Sequence, residues 1–254
     1  MIRAELLATA PTTPKLEECH FYHTMDVPGF GLQEGDWDLR AGLAAYLGFV
    51  ALRNKRVLEI GPASGFLTFA MENEGAEVVS VEVTDDPGWD FVPYPAAALE
   101  EVIAPRREIM RRLKNSYWFA HAAHASKAQI HYGDVYHLPP GLGEFDLAVM
   151  GSVLLHLHSP LQVVAQCAQR AETLVITEMF HPELEGKPVC RLVPNIRNFK
   201  WGTWWNFSTS FFTEFLAVMG FSETSISQHT QPYKGKPYAL FTIVATRPAS
   251  APNE

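Results

Sequence analysis

The chain has 254 residues, 47% of them hydrophobic and 19% charged, a balance that excludes disordered, collagen-like and disulfide-stapled classes and suffices for one large core. Twenty Lys and Arg against 28 Asp and Glu leave a formal net charge of -8. That lacks the basic footprint of a protein that grips a phosphate backbone, so a nucleic acid is not the expected partner.

Met1 to Lys15 carries one arginine and an apolar stretch too short for a secretory h-region, and no run in the chain approaches the roughly 20 apolar residues of a membrane span. Cys19, Cys167 and Cys190 form no paired framework and no C-x-x-C, which predicts reduced thiols, packed as small apolar residues, in a cytoplasmic protein. The first 55 residues precede any clear strand; they contain Trp37 and a helix-like stretch from Leu39 to Leu52, and are expected to form a lid or cap. From residue 56 to 247 the pattern is that of one domain, with 248–254 as a flexible tail.

Within that domain, Val57 to Ile60, Val78 to Val83, Gln129 to Tyr132, Leu147 to Met150 and Leu174 to Ile176 are short apolar runs separated by helical patterns. This is the rhythm of a parallel sheet covered by helices. Residues 84–127 are too long for an ordinary connection and read as an insertion of the kind that builds pockets. A helix from Ser210 to Met219, stopped by Gly220, precedes Glu223 to His229 and Tyr238 to Thr246, which have no helix between them and so predict an antiparallel hairpin. The inventory is an α/β, doubly wound, Rossmann-like sheet of seven mostly parallel strands with one antiparallel strand and helices on both faces.

The chemistry concentrates after the first of these strands. Val57-Leu58-Glu59-Ile60-Gly61-Pro62-Ala63-Ser64-Gly65-Phe66 is an apolar strand, an acid, a glycine-flanked turn and a helix start, so backbone N–H groups face whatever sits at the helix N-terminus. A dinucleotide site wants G-x-G-x-x-G with its pyrophosphate against the second glycine; Ala63 stands there instead and the spacing differs, which speaks against NAD or FAD. Glu59 can accept hydrogen bonds from an ammonium group, so a cationic amino-acid cofactor is the better match. Glu82, 21 positions after Gly61 and followed by Val83, stands where a carboxylate can take both hydroxyls of a ribose. After the third strand, Asp134 can face an adenine amino group while Val135 packs on the ring.

These residues resemble the class I S-adenosylmethionine (SAM)-dependent methyltransferases over residues 56–247. The resemblance implies that Glu59, Gly61 and Gly65 carry the methionine part of the cofactor, Glu82 and Val83 the ribose, and Asp134 and Val135 the adenine, with Gly151 and Ser152 closing the pocket. The family's usual turn has glycine where this chain has Ala63. Phe145 to Pro160 and Trp204-Trp205-Asn206-Phe207-Ser208, together with His23 to Asp38, further resemble the subgroup containing the carboxymethyl-cofactor-dependent enzymes of the transfer RNA wobble uridine. Those enzymes carry tyrosine and arginine where Leu155 and Leu157 stand here, and two leucines cannot hold an extra carboxylate or a nucleic acid. The expectation is therefore methyl transfer from SAM to a small, aromatic or amphipathic acceptor. The alternatives are a transfer RNA modifier and a non-catalytic SAM-binding regulator, and the chain is expected to be a monomer or homodimer.

Methyl transfer needs positioning and, for a protonated nucleophile, a base. His156, just past the fourth strand, is a candidate to line the site against the alternative of a packing histidine; His23, near Asp26, is a second. Trp118, Trp204 and Trp205 are candidate acceptor walls, since aromatic surfaces suit a flat ligand, though core packing also uses them. Arg106, Arg107, Arg111, Arg112 and Lys114 could bind an anion, but Glu100, Glu101 and Glu108 nearby make a salt-bridged solvent face the stronger expectation. His121 and His124 lack a third ligand and no H-E-x-x-H occurs, so no metal is expected; neither Ser64 nor Ser152 lies in G-x-S-x-G, so no serine hydrolase is either.

Overall fold

The computed structural model describes residues 4–84 and 90–248. The tail expected at 248–254 lies outside them except for Pro248, as do residues 85–89 of the insertion. A small hairpin, β1 (Met25–Val27) and β2 (Gly31–Gln33), is followed by a single helical turn, α1 (Leu43–Tyr46). β3 (Arg56–Ile60), α2 (Phe66–Asn73) and β4 (Glu77–Glu82) form the first βαβ unit, and the long α3 (Ala96–Ala123) leads into β5 (Gln129–Tyr132). β6 (Phe145–Gly151), α4 (Pro160–Ala168) and β7 (Ala171–Met179) follow, then the short pair β8 (Cys190–Leu192) and β9 (Trp205–Phe207). α5 (Thr209–Val218) and the hairpin of β10 (Glu223–Tyr233) and β11 (Lys236–Thr246) end the fold.

The main sheet has seven strands in the order β10-β11-β7-β6-β3-β4-β5. β11 runs antiparallel to β10 and β7, and every other neighbouring pair is parallel, as the hairpin pattern predicts. Side chains alternate between two buried faces: Val57, Val78, Leu147 and Val149 meet α2 and the C-terminal half of α3, while Leu58, Val79, Ala148 and Met150 meet α4 and α5. The strand order reverses between β3 and β6, so a crevice opens where their carboxyl ends diverge, between Gly61 and Gly151.

The insertion is mostly α3, which carries Pro105 and is exposed over residues 104–109. The helix expected from Leu39 to Leu52 shrinks to the one turn of α1. Gly48 and Phe49 leave it with φ of +62° and +59°, and the Tyr46 carbonyl accepts from Thr177 Oγ1 at 2.7 Å instead of continuing a helical ladder. Packing against the sheet here overrides local propensity. Cys19 and Cys167 are buried as expected, whereas Cys190 is exposed on β8. Among the described residues no helix is long and apolar enough to cross a membrane.

The leading segment is tied to α3 and to the β10–β11 hairpin. The His20 N–H donates to Ser116 Oγ of α3 at 2.7 Å, the Asp38 N–H to the Pro232 carbonyl at 3.0 Å and the Lys234 N–H to the Asp36 carbonyl at 2.6 Å. Gly35 permits the tightest part of this arrangement, because a Cβ there would stand 2.5 Å from the His23 backbone.

Candidate functional site

The glycine turn between β3 and α2 is held in left-handed backbone at Gly61 (φ +74°), Ala63 (φ +52°) and Gly65 (φ +90°). At Gly65 a Cβ would stand 2.4 Å from the Phe69 ring, so both conformation and space demand glycine. Ala63 adopts the left-handed conformation without a glycine's freedom, at a cost of about 1–2 kcal/mol.

Behind the turn, Glu59 is buried on the α2 face of the sheet. Its Oε2 accepts from Thr68 Oγ1 at 2.5 Å and Ser80 Oγ at 2.7 Å, while its Oε1 is buried without a partner. Burial pushes its pKa up to about 7 against the pull of those two hydroxyls. An orphaned carboxylate oxygen is costly unless a cation or donor meets it, and a ligand ammonium would be such a donor.

Glu82 ends β4 half-buried in the same crevice, its Oε1 accepting from the Val83 N–H at 2.8 Å. Burial raises its pKa; Val83, Lys114 and the Ala63 N–H pull it back. Val135 is buried beneath the third loop, but Asp134 is exposed and turns onto its own loop, accepting from the Tyr136 N–H at 2.8 Å and facing His137 Nδ1 at 2.6 Å. On the far side of the switch point, Gly151 lies against Tyr46, whose hydroxyl donates to Ser152 Oγ at 3.1 Å. Tyr46 is a site residue that no sequence pattern marks; it is brought there by the short α1 turn.

His23 sits over the glycine turn: its N–H and that of Tyr22 each donate to Ser64 Oγ at 3.3 Å. The expected support from Asp26 is absent, because Asp26 points to the exposed side of β1 and pairs with Arg40 at 3.4 Å. His23 Nδ1 is instead buried without a partner and burial lowers its pKa to about 4, so the ring is neutral at pH 7.

His156 follows β6, with Nδ1 hydrogen-bonded to the Gly202 carbonyl. A carbonyl only accepts, so Nδ1 carries the proton and Nε2 keeps the lone pair. The side chain is exposed on the loop after β6; desolvation beside Gly202 lowers its pKa, opposed by the Gly202 bond and assisted by Arg106. Close by, the buried Glu178 of β7 accepts from the Leu155 N–H at 3.2 Å, and burial raises its pKa to about 8.

Trp204 and Trp205 are half-buried and anchored by their indole N–H groups, Trp204 to the Asp90 carbonyl at 2.6 Å and Trp205 to the His158 carbonyl at 3.3 Å. The Asp90 carboxylate faces His158 Nδ1 at 2.6 Å and also accepts from the Tyr136 hydroxyl. This Asp90–His158–Tyr136 knot joins the insertion to the loops after β5 and β6, and sequence patterning misses it because its members lie in separate loops. Trp118 is elsewhere. It is buried on α3 against Tyr117 and His121, beside a cavity of about 350 Å³ shared with Arg111, Lys114, Asn115 and Tyr132. The structure thus brings Trp204 and Trp205 together and places Trp118 apart from them.

The salt-bridged face expected on α3 is present, with Arg107 pairing with Glu100 at 3.0 Å and Arg111 with Glu108 at 2.7 Å. Among the described residues no three His, Cys, Asp or Glu side chains group as metal ligands.

No family model matches the chain, and no curated protein is similar to it in sequence. Solved structures are similar in fold. The N-terminal domain of EvdMO1 with SAH bound covers 89% of this chain and 90% of its own at a TM-score of 0.59 and 15% identity. Magnesium protoporphyrin IX methyltransferase (ChlM) from Synechocystis PCC 6803, with bound SAM, covers 83% and 78% at a TM-score of 0.51 and 13% identity. The PH0226 protein from Pyrococcus horikoshii OT3 covers 82% and 88% at a TM-score of 0.51 and 16% identity. The chain therefore has a fold on which SAM and its product have been seen bound in other proteins.

Proposed function

We infer that the chain is a SAM-dependent methyltransferase acting on a small aromatic or amphipathic acceptor and releasing S-adenosylhomocysteine (SAH). The observation that carries this reading is the buried Glu59 with its orphaned Oε1 behind a left-handed glycine turn, a site suited to an ammonium and hostile to a pyrophosphate. Glu59, Gly61 and Gly65 would hold the methionine part, Glu82 beside Val83 the ribose, and Asp134 with Val135 the adenine, while Gly151 and Ser152 close the crevice. When bound, the cofactor supplies an electrophilic methyl on a sulfonium. The protein's part is to orient the acceptor and keep water out, tasks that suit Tyr46, Trp204 and Trp205, with the Nε2 lone pair of His156 available to take an acceptor proton. His23, neutral and close to the turn, is a second candidate for that role. Trp118 would contribute from the cavity it shares with Thr84, Lys114 and Tyr132, just past the end of β4 and apart from Trp204 and Trp205.

Residues 1–55 act in this reading as a cap, since Tyr22 and His23 rest on Ser64 of the turn. Leu157 is buried in the core and Leu155 is half-buried, so neither position offers the polar groups of the transfer RNA branch. That and the acidic balance favour a small acceptor.

Calorimetric titration with SAM, SAH and NAD tests the cofactor: binding of the first two alone is expected, and NAD binding or none would sink the reading. Glu82→Ala should weaken SAH binding by about tenfold to a hundredfold, the worth of charge-assisted hydrogen bonds to two hydroxyls, while the protein stays folded. Unchanged affinity would overturn the ribose assignment.

A further inference from the structure

The cations on α3 divide by what they touch. Arg107 and Arg111 are neutralised by Glu100 and Glu108, and Arg112 donates to the Cys19 and Glu17 carbonyls at 2.8 and 3.1 Å, fastening the leading segment to the helix. Arg106 has no acidic partner among the described residues. It lies against Gly202, where an added Cβ would stand 3.8 Å from its Nη2, and Gly202 is the residue whose carbonyl holds His156. Its charge is also felt at both the Tyr22 hydroxyl and the His156 ring.

The guanidinium thus sits at the rim of the crevice between the leading segment and the Trp201–Trp205 stretch. The acids near that rim do not answer it. Asp90 is engaged by His158 and Tyr136, and Glu178 is buried under backbone N–H groups with its pKa raised. An exposed guanidinium beside Gly202, with the acids near it already engaged, is available to an anion from outside the chain. Arginine's planar fork suits a carboxylate bidentately.

We propose that Arg106 is the recognition residue for a carboxylate carried by the acceptor, so that the substrate class is a small aromatic or amphipathic carboxylic acid. This rests on the methyl-transfer reading for the place of the acceptor, and the geometry divides the work. Arg106 holds the acid group at the rim, and the apolar body lies along Trp204 and Trp205. The reacting atom is held beside the exposed His156, within reach of its Nε2.

The experiment uses matched aryl carboxylates and their amides, for example indole-3-acetate with indole-3-acetamide and 4-hydroxybenzoate with 4-hydroxybenzamide, titrated into the full chain with and without saturating SAH. The acids should bind at least tenfold more tightly than their amides. Arg106→Gln should erase that preference while leaving SAH affinity unchanged, and Arg107→Gln, whose arginine is paired with Glu100, should leave the preference intact. Equal binding of acid and amide, no binding of any acid, or a preference that survives in Arg106→Gln would overturn the proposal. SAH affinity reads the cofactor separately: an Arg106-dependent acid preference in a protein that does not bind SAH would keep the anion site and refute the methyltransferase reading.

Discussion

On the glycine-turn side of the crevice, Glu59, Gly61, Ser64, Gly65 and Thr68 belong to one strand–turn–helix unit, and Glu82 ends the next strand. On the aromatic side, Tyr46, Asp90, His156 and Trp204 come from separate stretches joined by long-range hydrogen bonds. The first side owes its geometry to backbone conformation, the second to tethers. Damage to the first should therefore reach the fold and the cofactor together, while damage to the second should loosen the acceptor wall and leave cofactor affinity intact.

The largest effect is expected at Gly65. Gly65→Ala adds a Cβ 2.4 Å from the Phe69 ring at a φ of +90°, which combines left-handed strain with overpacking. Urea denaturation should show a loss of about 2–5 kcal/mol, and SAH binding should fall with it. A variant of wild-type stability would mean that the turn relaxes freely and does not set the site.

Asp90→Ala breaks the tether on the other side. Removing the carboxylate that holds His158 and Tyr136 should cost about 1–3 kcal/mol, read as a lower Tm, because His158 can return to solvent. SAH affinity should not change. If it drops as far as the Tm does, the two sides are not separable and the contrast fails.

The smallest effect is a proton. Burial raises the folded pKa of Glu59 from 4.5 to about 7, so its contribution to stability is fully present below pH 4.5 and is lost as pH rises through about 7. His23, with its pKa lowered to about 4, contributes with the opposite sign between pH 4 and 6.5, so the share of Glu59 is read as a difference: the stability of the wild type relative to Glu59→Gln should fall as pH rises from 4.5 through about 7. An ammonium at Oε1 favours the charged carboxylate, so SAH binding at pH 6.5 should release a fraction of a proton, measurable by calorimetry in buffers of different ionisation enthalpy. Proton uptake would place the ammonium elsewhere.

The strands, the reversed hairpin and the glycine turn are legible in the chain because each rests on short-range physics: alternation on two buried faces, turn residues at left-handed positions, an acid at a strand end. The expected helix at Leu39–Leu52 and the expected Asp26–His23 pair fail for the opposite reason. Gly48 must pass Val244, Thr177 captures the Tyr46 carbonyl, and the alternation of β1 turns Asp26 outward to Arg40. No local pattern reports such partners.

By itself, then, the sequence determined the sheet, the direction of its strands and the acids and glycines at one end of the crevice, since periodicity and turn chemistry act over a few residues. Only the tertiary structure decided that Glu59 is left with an unmatched oxygen and that His156 keeps its lone pair on Nε2. It alone decided that Trp118 stands apart from Trp204 and Trp205, and that Arg106 lies beside Gly202 with no acidic partner among the described residues. Those outcomes depend on which groups from distant parts of the chain arrive within hydrogen-bonding reach, and on which do not.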